Sequence, residues 1–177
     1  SDEALAALKG FKRYVLTESG VSPRSIPGQP GGVYNANSDE HDEFGLSTED
    51  LSMRVAQMDK RGRKIARFWD DATTTGVPAP KLYGPQDADV TLVGWGSMKG
   101  PVLEALRLFE QKGKKVNFLH YVYLSPFPVA HTKVFLQKTK KLVNIENNYS
   151  GQFGSLFKQE MLRDFDHSLL KYNGQQF

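Results

Sequence analysis

The sequence predicts an α/β fold: a three-layer domain with a mostly parallel β-sheet between helices, preceded by an extended arm and a long helix. Three observations lead to this prediction. Short apolar segments of strand length alternate with longer amphipathic segments over residues 81–177. A continuous helical pattern occupies much of residues 48–80, and residues 1–47 are rich in glycine and proline. Strands that are separated by helices favour parallel pairing through right-handed crossovers.

Composition and charge exclude several classes of protein. The chain of 177 residues contains 39% hydrophobic and 24% charged residues, which is ordinary for a globular protein. It contains no cysteine, so disulfides, thiolate nucleophiles and iron–sulfur ligands are excluded, which fits a reducing, cytoplasmic compartment. The sequence shows no apolar run of about 18 residues, the length that a membrane-spanning helix needs, and no signal-peptide pattern. We therefore expect no membrane partner. A net charge of +3 is too small to indicate a nucleic-acid partner.

Residues 1–47 are predicted to form an extended arm or linker. The segment GVSPRSIPGQPGG, from Gly20 to Gly32, contains four glycines and three prolines, a composition that helices and central strands do not tolerate. Such a segment forms a poor core alone, so we expect it to lie on another part of the protein or of an assembly. A disordered end is the alternative.

Residues 48–80 are predicted to form an amphipathic helix and a linker. Ser47 and Asp50 make the S-x-x-D pattern of a capped helix start, and acidic residues suit the positive end of the helix dipole. Apolar residues then share one face over roughly five or six turns: Leu51, Val55, Met58, Ile65 and Trp69. Basic residues lie mostly off this stripe, on a face that is either solvated or contacts an anion or a partner: Lys60, Arg61, Arg63, Lys64 and Arg67.

The acidic stretch before this helix raises the question of a metal site. His41, Asp42 and Glu43 are consecutive, so their side chains cannot all point to one side of an extended segment. An H-x-x-x-H or H-x-H partner is not found nearby. A solvated turn, or a loop that pairs with basic groups of a partner, is therefore the favoured interpretation, and no metal site is predicted.

Residues 81–177 are predicted to form the α/β domain. Pro101 suits the first turn of a helix and Gly113 suits its end. His120 lies inside an apolar strand and is expected to be a core histidine. The elements, in order, are a strand at 89–95, a helix from Pro101 to Gly113, a strand at 116–124, a short helix at 134–140, a strand at 141–148, a helix within 151–165 and an edge strand at 168–174.

The first strand is followed by a glycine-rich turn, VGWGSMKGP. Glycines at such a turn let backbone amides approach a phosphate, and a helix start favours an anion. Gly94, Gly96 and Gly100 are spaced one residue longer than the dinucleotide fingerprint, and the second strand lacks the acidic ribose-binding residue. A nicotinamide cofactor is therefore not expected. A packing turn and an anion site both remain open, and the candidate anion site consists of Gly94, Gly96, Ser97 and Lys99.

Polar residues cluster where the third strand meets its helix. Glu146, Asn148, Gly151 and Gln152 lie at the carboxyl end of a predicted parallel strand. Ligands and partners of open α/β sheets bind at this edge. A polar strand end is also common without any function, so both interpretations remain open.

Longer motifs occur in order along the chain: FKRYVLTESGVSPRSIPGQPGG, EHDEFGLSTED, MDKRGRK, KLYGPQDADVTLVGWGSMKGPVLEAL, VNFLHYVYLSPFP, ENNYSGQFG and KYNGQQF. Together they resemble the alpha subunit of 2-oxoacid:ferredoxin oxidoreductases. The resemblance runs from about Phe11 to the end of the chain and covers only the C-terminal part of such a subunit. The portion after about Leu82 is similar to a transketolase C-terminal domain, and the arm is similar to the end of the preceding pyrimidine-binding domain.

The resemblance implies a thiamine-diphosphate-dependent enzyme that decarboxylates a 2-oxoacid, reduces ferredoxin and forms an acyl-CoA. It implies that thiamine diphosphate, CoA, Mg and a 4Fe-4S cluster belong to the full complex, and that none of them is bound by this chain. The family's thiamine-contacting motif lies upstream, and the diphosphate- and cluster-binding segments belong to a beta subunit or region. No catalytic residue is therefore carried over, and this chain alone is expected to be inactive.

The resemblance also implies partners. These are the beta subunit, the remainder of the alpha subunit and, through the complex, ferredoxin, so a hetero-oligomer is expected. The residues expected at interfaces are Arg24, His41, Asp42, Glu43, Glu146, Asn148 and Gln152.

Two other functions remain open. One is a nucleotide- or CoA-binding module that uses the turn from Gly94 to Gly100, and the other is a purely structural docking domain. Within the family, the sequence leaves the substrate open among pyruvate, 2-oxoglutarate and branched-chain acids.

Overall fold

The computed structural model describes residues 3, 10–36, 39–69, 77–175 and 177. The chain forms two compact units, which we call unit 1 (Ser1–Thr75) and unit 2 (Gly76–Phe177). Among the described residues, no helix combines the length and the apolar character needed to cross a membrane.

Unit 1 contains a long helix, α1, at Leu51–Ala66. Asp50 caps this helix, because its backbone is extended and its side chain accepts a hydrogen bond from the Ser52 amide at 2.8 Å. The predicted cap at Ser47 is therefore wrong: Ser47 instead forms an isolated β-bridge with His41. The helix has 16 residues, about four and a half turns, and is shorter than expected.

Helix α1 presents its apolar stripe outward and its polar side inward. Leu51 and Val55 are 78% and 59% exposed, whereas Gln57 and Lys60 are buried. The Gln57 amide and the Lys60 ammonium both donate to the backbone carbonyl of Tyr14, at 3.0 and 2.8 Å. A solvated position for Lys60 is therefore wrong, because the arm covers this side of the helix and offers hydrogen-bond acceptors to it.

Unit 2 contains a five-stranded sheet with flanking helices. The strands are β1 (Lys81–Tyr83), β2 (Val90–Trp95), β3 (Val116–Tyr121), β4 (Lys141–Glu146) and β5 (His167–Leu170). The helices are α2 (Lys99–Gln111), α3 (Val129–Leu136) and α4 (Gln152–Met161), and a 3₁₀ turn at Gly96–Met98 precedes α2. The strand order is β1-β3-β2-β4-β5, with β1 antiparallel to β3 and the other pairs parallel. The predicted mostly parallel α/β sheet is confirmed.

Side chains that alternate along the strands build a core on each face of this sheet. One face carries the cluster Val93, Leu119, Leu142, Phe153 and Phe157. The opposite face carries the cluster Leu92, Met98, Val102, Phe118 and Ile145. Helix α4 therefore covers one face and α2 covers the other, which confirms the three-layer arrangement.

Some element boundaries in unit 2 differ from the prediction. Helix α2 begins at Lys99 rather than near Pro101, because the 3₁₀ turn leads directly into it. The short helix is Val129–Leu136 rather than 134–140, because Pro128 precedes its first turn and residues 138–139 close a turn onto its last carbonyls. The final strand ends at Leu170, and a turn follows in which Asn173 accepts a hydrogen bond from the residue 175 amide at 3.1 Å.

Candidate functional site

A crevice lies at the carboxyl ends of β2 and β4, near the centre of unit 2. The chain crosses from β2 to β3 on one side, and then from β3 past β2 to β4 on the other side. Open α/β sheets bind ligands at such a switch point. The crevice has a volume of about 180 Å³ and is lined by Trp95, Ser97, Met98, Asn147 and Asn148.

The glycine turn after β2 is shaped by packing. A Cβ atom at Gly94 would lie 3.0 Å from the carbonyl oxygen of Ile145, so the approach of β2 to β4 favours glycine there. Gly96 has a φ of +54°, a conformation that glycine adopts without strain. The buried His120 side chain places Nε2 at 2.9 Å from the Gly96 carbonyl oxygen, which ties β3 to the turn. These contacts support the interpretation of this segment as a packing turn.

The residues of the predicted anion site point in different directions. Ser97 lines the crevice. The Lys99 ammonium instead lies 5.6 Å from the centre of the Tyr83 ring, and Tyr83 belongs to β1 at the far side of β3. Lys99 is thus not among the residues that line the crevice, and an anion site made by Gly94, Gly96, Ser97 and Lys99 stays a prediction.

Glu146, the last residue of β4, is a fully buried carboxylate surrounded by donors. Its Oε1 accepts from Asn144 Nδ2 at 2.6 Å and from the Gly154 amide at 2.9 Å. Its Oε2 accepts from Asn148 Nδ2 at 2.6 Å and from the Phe153 amide at 2.9 Å. Burial acts to raise the pKa of Glu146, but these hydrogen bonds outweigh burial and hold the pKa below its ordinary value of 4.5. Glu146 is therefore a buried anion at the amino end of α4, where the helix dipole favours negative charge.

Asn148 completes the same corner of the fold. Its Oδ1 accepts hydrogen bonds from the Gly151 amide at 2.7 Å and from the Gln152 amide at 3.3 Å. Glu146 and Asn148 therefore lie in one network, to which Gln152 contributes its backbone while it remains exposed. An interface role for these three residues stays a prediction, and the hydrogen bonds show what they do within unit 2.

Asn144 is the member of this network that the sequence reasoning missed. Asn144 and Glu146 are two positions apart on β4 and therefore point to the same face of the sheet. The alternation of Asn, Glu and Asn in the segment NIENN was an available signal for such a polar row. The amides of Phe153 and Gly154 left no such signal, because backbone donors are independent of residue type.

The acidic stretch of unit 1 pairs with basic groups of unit 1 itself. Glu40 accepts two hydrogen bonds from the Arg61 guanidinium, at 3.2 and 2.6 Å. Glu43 accepts one from the Lys12 ammonium at 2.7 Å. Hydrogen bonding to Arg61 and to Lys12 holds the pKa of Glu40 and the pKa of Glu43 below the ordinary value of 4.5.

His41 and Asp42 stabilise the same turn. The Asp42 side chain accepts hydrogen bonds from the amides of Phe44 and Leu46, at 2.9 and 3.0 Å. The His41 ring packs on the Tyr14 ring with centroids 3.8 Å apart. Within the described residues, no group of three or more histidine, aspartate or glutamate side chains is placed to hold a metal ion. The interface role expected for Arg24, His41, Asp42 and Glu43 stays a prediction.

The fold and the site define the class of unit 2. It is an α/β domain in which the buried carboxylate of Glu146 joins the end of β4 to the start of α4 through hydrogen bonds. A family model described as pyruvate:ferredoxin oxidoreductase core domain II matches residues 88–174, which is most of unit 2.

Curated relatives match both units. A 2-oxoacid:ferredoxin oxidoreductase alpha subunit from Aeropyrum pernix is 34% identical over 168 residues, which is 93% of this chain and 25% of the relative. An alpha subunit from Saccharolobus solfataricus is 32% identical over 164 residues, with coverage of 93% and 25%. The 2-oxoglutarate oxidoreductase subunit KorA of Mycobacterium tuberculosis is 32% identical over 162 residues, with coverage of 86% and 22%.

A solved structure agrees with these relatives. The 2-oxoglutarate:ferredoxin oxidoreductase from Magnetococcus marinus, solved with 2-oxoglutarate, coenzyme A and succinyl-CoA bound, superposes with a TM-score of 0.76 at 29% identity. The match covers 96% of this chain and 29% of that chain.

The chain belongs to the family of 2-oxoacid:ferredoxin oxidoreductase alpha subunits. It spans about a quarter of the length of the curated relatives that it matches. A free-standing nucleotide- or CoA-binding module is not favoured, because the similarity to these alpha subunits extends over nearly the whole of this chain.

Proposed function

We propose that this chain forms the C-terminal region of the alpha subunit of a thiamine-diphosphate-dependent 2-oxoacid:ferredoxin oxidoreductase. The complex converts a 2-oxoacid to an acyl-CoA and reduces ferredoxin, and this chain serves structural and interface roles in it. The observation that carries the proposal is the continuous similarity to alpha subunits through both units, at 34% identity over 93% of the chain.

The geometry supports a scaffold rather than a catalytic centre. The buried carboxylate of Glu146 has its oxygens occupied by amide donors from β4, from α4 and from Asn148 between them, so it is not free to transfer a proton. The carboxylates of Glu40 and Glu43 are likewise engaged with cations of unit 1. These groups hold the fold together and leave the chemistry to other segments of the complex.

The side chains of this chain do not fit the metal-containing cofactors of such a complex. A 4Fe-4S cluster needs thiolate ligands, and the sequence contains no cysteine. A magnesium ion prefers converging carboxylates and carbonyls, and the described residues contain no cluster of three acidic or histidine side chains. We therefore propose that thiamine diphosphate, Mg and the cluster are held by the remainder of the alpha subunit and by a beta subunit.

The exposed stripe of α1 supports an interface role. Val55 and Met58 are 59% and 50% exposed, and apolar side chains that repeat along one helix face favour burial against another protein surface. We propose that the remainder of the alpha subunit or the beta subunit covers this stripe in the complex.

Reconstitution tests the proposal. The chain is combined with the remainder of the alpha subunit and with the beta subunit, and the reduction of ferredoxin is measured with CoA and with 2-oxoglutarate, pyruvate or a branched-chain 2-oxoacid. We expect turnover by the assembled complex with at least one of these acids. We expect the chain alone to be colourless, to hold no thiamine diphosphate and to be inactive. Turnover or iron–sulfur absorbance of the chain alone, or no effect of the chain on the complex, would refute the proposal.

A paired set of variants tests the interface. Replacing Val55 and Met58 by glutamine removes apolar surface and should weaken assembly by about tenfold or more. The matched control replaces Asp59 and Arg63, which are exposed on the same helix beside the stripe and carry opposite charges, by glutamine and should leave assembly unchanged. Equal assembly of both variants, measured by sedimentation, would exclude the stripe from the interface.

A further inference from the structure

Unit 1 contains a pocket whose charged walls are all basic. The pocket has a volume of about 400 Å³ and lies between helix α1 and the arm. Its charged lining side chains are Arg13, Arg24, Lys60, Arg61 and Lys64. Aspartate and glutamate are lacking among the described residues that line it.

Most of this positive charge has no acidic partner. Arg61 is paired with Glu40, at 2.6 Å between the guanidinium and the carboxylate. The ammonium of Lys60 is held by uncharged groups, the Tyr14 carbonyl at 2.8 Å and the Ser22 hydroxyl at 3.1 Å. Over the part of the chain that the structure describes, Arg13, Arg24, Lys60 and Lys64 form no ion pair. The pocket therefore carries an excess of positive charge that an anion would offset.

The walls of the pocket are fixed by close packing of the arm on the helix. A Cβ atom at Gly20 would lie 2.6 Å from both the Lys60 carbonyl oxygen and the Lys64 amide nitrogen, so the arm backbone touches the helix backbone there. Lys60 is only 5% exposed, which holds its ammonium in one place. Because its three donors are directed at the Tyr14 and Val15 carbonyls and the Ser22 hydroxyl, Lys60 contributes charge to the pocket. The exposed Arg24 and Lys64 supply donors for an anion.

Electrostatics within the pocket agree with its geometry. Burial, together with the neighbouring cations Arg61, Arg13 and Lys64, lowers the pKa of Lys60 to about 8. The Glu43 carboxylate acts to raise this pKa but does not offset these effects. These side chains therefore repel one another across a short distance. A bound anion would relieve this repulsion and would raise the pKa of Lys60.

We propose that this pocket binds a phosphate group, either as free phosphate or on a small phosphorylated molecule. A phosphate group carries a charge of about −1.5 to −2 near neutral pH, more than a carboxylate, and its oxygens match the fork of donors on an arginine. The volume of the pocket suits a small ligand. This site belongs to unit 1, whereas the glycine turn belongs to unit 2, and the proposal does not depend on the oxidoreductase function.

Calorimetric titration of the chain at constant ionic strength tests the proposal, with inorganic phosphate, ribose 5-phosphate and acetate as probes. The test variant replaces Arg24 and Lys64 by glutamine, since both are exposed and neither packs in the core. The matched control replaces the exposed Lys112 and Lys114 of unit 2 by glutamine and removes the same charge. Thermal melting checks that both variants remain folded.

We expect saturable binding of phosphate that weakens by about tenfold or more in the test variant and is unchanged in the control. Tighter binding of ribose 5-phosphate identifies a phosphorylated molecule as the ligand, and equal affinity identifies the phosphate group alone. Side-chain NMR of Lys60 should show a pKa near 8 that rises when phosphate is added. Equal loss in both variants, equally tight binding of acetate, or no saturable binding would overturn the proposal.

Discussion

Replacing Glu146 by glutamine should destabilise unit 2 by about 2–4 kcal/mol, although the two side chains have nearly the same shape. The carboxylate accepts from two asparagine side chains and from the backbone amides of Phe153 and Gly154. Glutamine must place an NH₂ group against one of these pairs of donors. At least one interaction then becomes a contact between donors.

The surroundings limit how far this change can be repaired. The Asn144 amide is free to turn, because its Oδ1 makes no hydrogen bond with the described residues. The Asn148 amide is not free, because its Oδ1 holds the Gly151 amide at 2.7 Å. A backbone amide of α4 cannot turn at all. One buried donor is thus left unsatisfied, which costs about 1–3 kcal/mol of folding free energy. The remaining hydrogen bonds also become weaker because their acceptor is no longer charged. The variant recovers part of this free energy because it does not bury a charge.

Urea denaturation followed by tryptophan fluorescence measures the effect. A Trp69→Phe background leaves Trp95, at the end of β2, as the reporter of unit 2. The control is Glu104→Gln, since Glu104 lies on the surface in an exposed ion pair with Arg107 and its replacement should change stability far less. Similar small losses for both variants would refute the structural role of Glu146.

The pH dependence gives a second check on the same variant. The pKa of Glu146 in the folded chain is below its ordinary value of 4.5, so the unfolded chain binds a proton more readily. The stabilisation by the carboxylate is therefore complete above about pH 4.5 and is lost as the pH falls through the lower folded pKa. The gap in stability between the parent and the glutamine variant should narrow in acid, and a constant gap would contradict this assignment.

Three further predictions follow from particular residues. Gly96→Ala should cost on the order of 1 kcal/mol, because φ is +54° and no atom crowds the site, whereas Lys99→Ala should be nearly silent in thermal melting. Residues 26–36, most of which are exposed, should exchange amide hydrogens quickly in the isolated chain and slowly in an assembled complex, and equal protection would argue against docking of the arm. Because the pKa of Lys60 falls from 10.5 to about 8, the unfolded chain binds more protons between these values, so unit 1 should gain stability as the pH rises through this window. The gain should be absent in Lys60→Met, and denaturation curves from pH 7 to pH 11 measure it.

The pattern of residues along the chain is enough to predict the architecture of unit 2 and the family. Apolar segments such as VTLVGW and VNFLHY have the length and composition of buried strands, and the helices between them require parallel pairing. Glycine positions were informative because a positive φ, such as that of Gly96, is a conformation that glycine adopts without strain.

The buried face of α1 and the hydrogen-bond partners of Glu146 become known only from the folded structure. Helical spacing shows that Leu51 and Val55 share a face, but it contains no information on whether this face meets protein or solvent. The answer came from the arm, whose Tyr14 carbonyl lies more than 40 positions before the buried Gln57 and Lys60. Likewise, Glu146 accepts from backbone amides seven and eight positions later. Every residue except proline has a backbone amide donor, so residue type does not show which amides will bond to a carboxylate. Only folding brings the amides of Phe153 and Gly154 to Glu146.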